Sequence, residues 1–265
     1  TMLEIFPELF SISKVKSVTE YPLRLLNSLI ESSPRKQENP VLSVLTPGAH
    51  NSAYFEHSFL ADQMGVELIE GHDVQIVDGH IAMRTTEGYK KIDILYRRVD
   101  DEFIDPLTFN PNSLLGIPGL IDIYKSGAIT IANAPGTGVA DDKAIYSFMP
   151  DIIRFYMGEE PLLKNVKTWR CSEEDQLKYV LKNLNLLVVK EVHGSGGYGM
   201  LIGPMASKKD LEIFRNKLLK KPQNYIAQPM LALSTVPILK QAGLTPRHVD
   251  LRPFVLVSPK EIYVT

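Results

Sequence analysis

The stretch LLVVKEVHGSGGYGMLIGP, Leu186–Pro204, decides how this chain is read. A leucine and valine run, Leu186–Val189, ends in Lys190. A loop with four glycines in six residues follows: Gly194, Gly196, Gly197 and Gly199. Met200–Ile202 is apolar again, and Gly203-Pro204 closes it. The pattern predicts strand, glycine-rich loop, strand. Glycines let a backbone approach a bulky anion with its N–H groups free to point at it. A lysine beside such a loop adds a point charge for a phosphate.

Two other readings share this spelling. Gly194-x-Gly196-x-x-Gly199 matches the dinucleotide fingerprint, but that motif needs a helix after the loop. MLIGP is too short for one and ends in proline, which argues against a dinucleotide-dependent oxidoreductase. The protein-kinase glycine loop does lie between strands, but its lysine sits on the next strand, and no HRD-type or DFG-type run occurs here. A plain hairpin with a glycine-rich turn stays open on these residues alone.

Working outward, 265 residues allow one large domain or two modest ones. Hydrophobic residues make up 44% of the chain and the net charge is −2, the profile of a globular protein without a nucleic-acid footprint. The single cysteine, Cys171, excludes an intramolecular disulfide and fits a reducing compartment. With no signal peptide and no apolar run of spanning length, the expected place is the cytoplasm, away from membranes.

Tyr21–Ser32 places Leu25, Leu26, Leu29 and Ile30 on one helical face, and 32–40 reads as a polar linker. Val41–Leu45 is a short buried strand, followed by a helix over Ser52–Met64 ended by Gly65, and a strand at Val66–Ile69. That order predicts a Rossmann-like parallel sheet. Val74–Thr85 reads as a hairpin turning at Asp78-Gly79. Ile92–Tyr96 is an apolar strand running into Arg97-Arg98-Val99-Asp100-Asp101. Charges at the end of a parallel strand are where such sheets hold ligands, although a solvated loop with local ion pairs is also consistent. His50 and His57 lack a metal spacing and read as surface or helix-side residues. Ala128–Asn133 is a small strand, and Asp141-Asp142-Lys143 opens a helix with acids in its first turn. Leu177–Leu184 and Lys208–Lys220 read as helices, and Tyr225–Leu233 as a strand. Arg247–Val257 is expected to be one strand with Asp250 and Arg252 on a shared face, which is also what a plain ion pair would need.

Six segments, YRRVDDEFIDP, NSLLGIPGL, ADDKAIYSFMPDIIRFYMGEEPLL, VVKEVHGSGGYGMLIGP, YIAQPMLALSTVP and RHVDLRPFVL, together resemble the circularly permuted ATP-grasp family of type 2, which is related to glutathionylspermidine synthetase. The match runs from about Val41 to Val264 with the motifs in family order. The resemblance implies an α/β (α+β) chain: an N-terminal helix and linker over 1–39, a Rossmann-like pre-ATP-grasp domain with a parallel sheet over 40–135, and an ATP-grasp nucleotide-binding region over 136–265.

It also implies ATP and Mg²⁺ as cofactors and an ATP-dependent ligase that joins a small-molecule or peptide carboxylate to an amine through an acyl phosphate. A non-catalytic ATP-binding scaffold is the alternative. By the same resemblance, Lys143 and Lys190 touch the phosphates, and Gly194, Ser195, Gly196, Gly197, Tyr198 and Gly199 close over them. Gln228 lies near the adenine. Asp250 faces Mg²⁺, and Arg252 and Lys190 face the charge that develops on the transferred phosphoryl group. Arg97 and Arg98, with Asp100 and Asn51 nearby, bind the carboxylate substrate. The family's acidic, asparagine-bearing Mg²⁺ segment is expected ahead of Thr1, and a glycine-rich strand beyond Thr265. The 265 residues are therefore expected to be a fragment or a shortened member, better at binding ATP than at turning it over.

Overall fold

The computed structural model describes residues 2–14, 16–34, 39–194, 197, 199–241 and 243–264. The chain divides into two compact units, Thr1–Gly136 with Arg252–Thr265, and Thr137–Leu251.

The first unit begins with two short helices, α1 (Met2–Ile5) and α2 (Pro7–Ser13). Helix α3 (Tyr21–Glu31) carries a proline in its first turn, where the missing N–H costs nothing, and buries Leu25 and Leu29. Strand β1 (Leu42–Leu45), helix α4 (Tyr54–Met64) and strand β2 (Glu67–Ile69) follow in the expected order. Next come β3 (Val74–Val77), β4 (His80–Thr85), β5 (Gly88–Lys91), β6 (Ile94–Arg97), α5 (Leu120–Lys125) and β7 (Thr130–Ala132).

Strands β2-β1-β6-β7 form a parallel sheet in that order, with Val44 facing Leu68 on one side and Tyr96 on the other. Alternation along the strands splits their side chains between two faces. Leu42, Val44, Ile94 and Tyr96 pack with Leu25 and Leu29 of α3 and with Ala61 and Met64 of α4. Leu45, Ile69, Leu95 and Ile131 pack on the other face with Ile81, Met83 and Leu120. Burial on both faces explains why β1 reads as an unbroken apolar run. The strand order reverses between β1 and β6, so their carboxyl ends frame the crevice in which open parallel sheets hold ligands.

Strands β3, β4 and β5 make a separate antiparallel sheet. Asp78 and Gly79 both have positive φ, 48° and 72°, as a two-residue hairpin turn of the matching twist requires. Strand β5 was not anticipated. It is a largely exposed sheet edge bearing Lys90 and Lys91, so it shows no apolar alternation to read.

The second unit contains α6 (Lys143–Tyr146), α7 (Met149–Met157), β8 (Trp169–Arg170), α8 (Glu174–Lys182), β9 (Leu187–Glu191), β10 (Leu201–Ile202), α9 (Lys208–Lys220), β11 (Tyr225–Pro229), β12 (Thr235–Lys240) and β13 (Gly243–His248). The helix expected from Asp141 is two pieces, α6 and α7. Strands β10-β9-β11-β8 form an antiparallel sheet in that order. Leu187 and Val189 of β9, with Tyr225 and Ala227 of β11, enter a core with Val180 of α8 and Leu218 of α9. Burying a leucine in this way contributes roughly 1.5–3 kcal/mol. Cys171 lies in the same core, and burial pushes its thiol up to about 12.

The single strand expected over Arg247–Val257 does not form. Strand β13 ends at His248, residues 249–254 are irregular, and β14 (Val255–Val257) pairs with β15 (Ile262–Val264) in the first unit. Strands β12 and β13 are an unread hairpin in which Pro237 faces Pro246. Proline is tolerated there because each strand of a two-stranded ribbon is an edge. Among the described residues no helix is long and apolar enough to cross a membrane.

Candidate functional site

In the second unit the sheet face opposite the core forms the wall of a cavity. Leu187 and Val189 turn inward, so Val188 and Lys190 turn the other way; on β11, Ile226 and Gln228 do the same. Lys190 pairs in register with Ile226, which makes Gln228 its diagonal neighbour. The Lys190 ammonium donates to Gln228 Oε1 at 2.9 Å, and Gln228 Nε2 donates to Thr168 Oγ1 at 2.9 Å. Thr168 in turn donates to the Val166 carbonyl at 2.9 Å. Both ends of the Gln228 amide are thus engaged, and they hold the lysine head in place.

Helix α6 supplies the facing wall. Asp142 caps it, accepting from the N–H groups of Ala144 at 2.7 Å and Ile145 at 3.3 Å. The cap orients Lys143, whose ammonium donates to the carbonyls of Gly194 and Val192 at the start of the glycine loop. Tyr146 accepts from Val166 N–H at 2.8 Å and so ties α6 to the segment before β8. Lys143, Tyr146, Asp141, Lys190, Ile226 and Gln228 all line one cavity of about 420 Å³. Pockets of roughly 300–1,000 Å³ are the usual size for small-molecule sites. Burial, and then the positive charge of Lys143, lowers the Lys190 ammonium below the usual lysine range.

The glycine loop joins antiparallel strands, Leu201 facing Val189 and Ile202 facing Val188, so no helix follows it as the dinucleotide fingerprint requires. Gly199 has φ +66°, and a Cβ there would sit 2.4 Å from the Glu191 carboxyl carbon. The positive φ favours glycine here, and an added Cβ would also require the Glu191 carboxylate to swing aside. Ser195, Gly196 and Tyr198 lie outside the described residues.

In the first unit, topology brings Asn51, Arg97, Arg98 and Asp100 to the carboxyl ends of β1 and β6. Their duties differ. Arg97 is buried and gives its donors to the carbonyls of Asn133 at 2.6 Å, Val99 at 2.7 Å and Ala134 at 3.2 Å, and pairs with Asp101. Such a guanidinium fixes the sheet end, its donors engaged by the fold itself. Arg98 is exposed. Asn51 Oδ1 accepts from Ala53 N–H at 2.9 Å, a turn leading into α4, and Asp100 is exposed at the start of a helical turn. His57 is buried rather than on the surface, its Nδ1 2.9 Å from Thr46 Oγ1. Burial, and then the charge of Arg98, lowers its pKa.

Asp250 belongs to the second unit and Arg252 to the first, and neither lies on a strand, so the expected shared face is absent. No cluster of three or more His, Cys, Asp or Glu suited to a metal occurs among the described residues. Tyr146, Val166 and Thr168 were not foreseen as cavity or bracing residues. The only sequence signal was the three-residue step from Lys143 to Tyr146, which puts both on one helical face.

The chain is similar to several known proteins. A Synechocystis protein of unassigned function is 52% identical over 263 residues, covering 99% of this chain and 55% of its own length. A Mycobacterium tuberculosis protein of unassigned function is 47% identical over 264 residues, covering 100% of this chain and 48% of its own length. A Frankia alni protein bearing the name "Putative glutamate--cysteine ligase 2-3" is 37% identical over 262 residues, covering 98% of this chain and 30% of its own length. The chain thus spans about half the length of the first two relatives. The sequence model of the circularly permuted ATP-grasp type 2 family matches residues 1–265, and the chain belongs to that family.

Proposed function

We propose that the second unit binds ATP by its phosphates, and that the chain is part of an ATP-dependent carboxylate–amine ligase. One observation carries the reading: two ammonium groups, Lys143 and Lys190, share one small-molecule-sized cavity beside the glycine loop. The charge of Lys143 adds to burial in making the Lys190 ammonium costly, and a polyphosphate would relieve that cost. The Frankia relative's name supports a ligase.

In the reaction, an oxygen of the carboxylate attacks the γ-phosphorus of ATP, ADP leaves, and an acyl phosphate forms. The amine then attacks the acyl carbon, inorganic phosphate leaves, and an amide remains. Lys143 and Lys190 hold the phosphates, and Gln228 keeps Lys190 aimed. By the family resemblance alone, the loop at 194–199 would cover the reacting groups and keep water from the acyl phosphate. Mg²⁺ would be carried chiefly by the nucleotide with one or two carboxylates, for which Asp141 at the cavity wall and Asp250 are the candidates. When bound it would offset phosphate charge. Arg252 enters this reading through the family resemblance alone, as a group stabilising the transferred phosphoryl.

Thermal melting with nucleotides tests the binding. Mg-ATP should raise the melting temperature, since a ligand at about 100 times its dissociation constant adds roughly 2.7 kcal/mol. NADH should not. A shift with NADH and none with ATP would reverse the reading of the loop. ADP release by the full-length protein with mixed acids and amines tests turnover. ATP binding without any ADP release would favour the scaffold alternative.

A further inference from the structure

The first unit holds a second cavity, of about 470 Å³, which the nucleotide reading does not use. It lies at the carboxyl ends of β1 and β6, where the strand order reverses, and its floor includes the paired Val44 and Tyr96. Its walls are mainly apolar. Phe55 and Phe59 of α4 stack with ring centroids 6.1 Å apart, and both are exposed at its edge.

Two opposite charges line the same cavity, Arg98 and Glu56. Neither is held in an ion pair among the described residues. Arg98 makes only a long contact from Nη1 to the Tyr96 hydroxyl, 3.4 Å, and its guanidinium carbon is 5.9 Å from that ring's centroid. Its planar fork therefore remains available to a carboxylate. His57 adds a polar group to the wall, with Nδ1 anchored on Thr46. One cation, one anion and aromatic walls in a single concave site complement a ligand with a carboxylate, an ammonium and an apolar body.

We propose that this cavity binds an apolar α-amino acid, its carboxylate on Arg98, its ammonium on Glu56 and its side chain against Phe55, Phe59 and Tyr96. That this amino acid is the acid to be activated rests on the ligase reading; its binding does not.

Calorimetric titration of the chain in ATP-free buffer with L-phenylalanine, phenylacetate and phenethylamine tests it. L-phenylalanine should bind, and the two singly charged probes should bind more weakly. Arg98→Gln and Glu56→Gln should each weaken phenylalanine by about ten-fold or more, the usual effect of losing a charge-assisted hydrogen bond. Circular dichroism and melting on both exposed-site variants separate lost binding from lost folding. No heat with phenylalanine, equal binding of phenylacetate, or unchanged affinity in both variants would overturn the proposal. So would a concentration-dependent dimer abolished by Phe55→Ser, which would show a second copy covering the aromatic edge. A Mg-ATP titration of the same sample reports on the second unit separately, so failure here is distinguishable from failure of the nucleotide reading.

Discussion

Lys190 and Gln228 are not paired across β9 and β11, yet the Lys190 ammonium donates to Gln228 Oε1 at 2.9 Å. The diagonal contact places a positive charge on the cavity face with its apolar stem along the sheet. Beside it, Lys143 makes that charge costly, since Lys190 is lowered first by burial and then by its neighbour.

That cost can be measured. A lysine lowered in the folded state carries its penalty in full below the folded pKa, and the penalty fades as pH rises through that value toward 10.5. Lys190→Met should therefore be at its most favourable for stability near neutral pH. Its melting temperature relative to the parent should fall as pH is raised toward 10.5. The same variant should lose roughly 1.5–3 kcal/mol of ATP affinity. A pH-independent difference in melting, or unchanged ATP binding, would remove Lys190 from the phosphate site.

Gly199 tests the loop. Gly199→Ala places a Cβ at φ +66°, 2.4 Å from the present position of the Glu191 carboxyl carbon, so that the glutamate side chain must move. It should lower ATP affinity and stability together, with backbone strain contributing about 1–3 kcal/mol. Adding Glu191→Ala should restore part of the loss, because it removes the clash but not the strained φ. A double variant no better than the single one would show that the backbone angle alone sets the requirement.

Asp105 is fully buried and accepts from the N–H groups of Leu107 at 2.9 Å, Gly119 at 3.0 Å and Ile121 at 3.0 Å, and from Thr108 Oγ1 at 3.2 Å. Burial pushes its pKa up, but these four donors outweigh burial and leave it below 3.8. Its contribution to stability is present above 3.8 and is lost as pH falls through the lower folded value. Asp105→Asn should destabilise the first unit by about 1–3 kcal/mol, and Asp105→Ala by more, since it strands every donor. Denaturant unfolding checks the order; equal losses would mean the donors find water.

His57 adds an acid sensitivity that begins at higher pH. Its folded pKa lies below 6.5, so stability is intact above 6.5 and declines as pH falls below it, because the unfolded chain takes up a proton that the folded one refuses. His57→Gln should flatten that decline in a pH series of melting curves. An unchanged slope would assign the acid sensitivity to other groups.

Much of this protein was readable before folding, because the signals were local. The hairpin at Asp78-Gly79 follows from residues that tolerate positive φ. Helix α9 came out at its expected bounds, where Ser207 and Asp210 form a reciprocal capping box. The parallel order of β1, α4 and β2 followed from runs buried on both faces. What the sequence did not reveal depends on partners far along the chain. Arg97 and Arg98 are adjacent and chemically alike, yet strand alternation buries one among backbone carbonyls and leaves the other exposed. Asp250 and Arg252 look like one strand face, but the chain leaves the second unit between them, and no local propensity records where a chain changes unit. His57 lies on a helix with a weakly patterned sequence, and only the packing of α4 on the sheet buries it. Residue identity determined which groups can carry charge or turn sharply. Tertiary packing decided which of those charges are used up holding the fold and which remain for a ligand, because desolvation and competing hydrogen bonds exist only once distant segments meet.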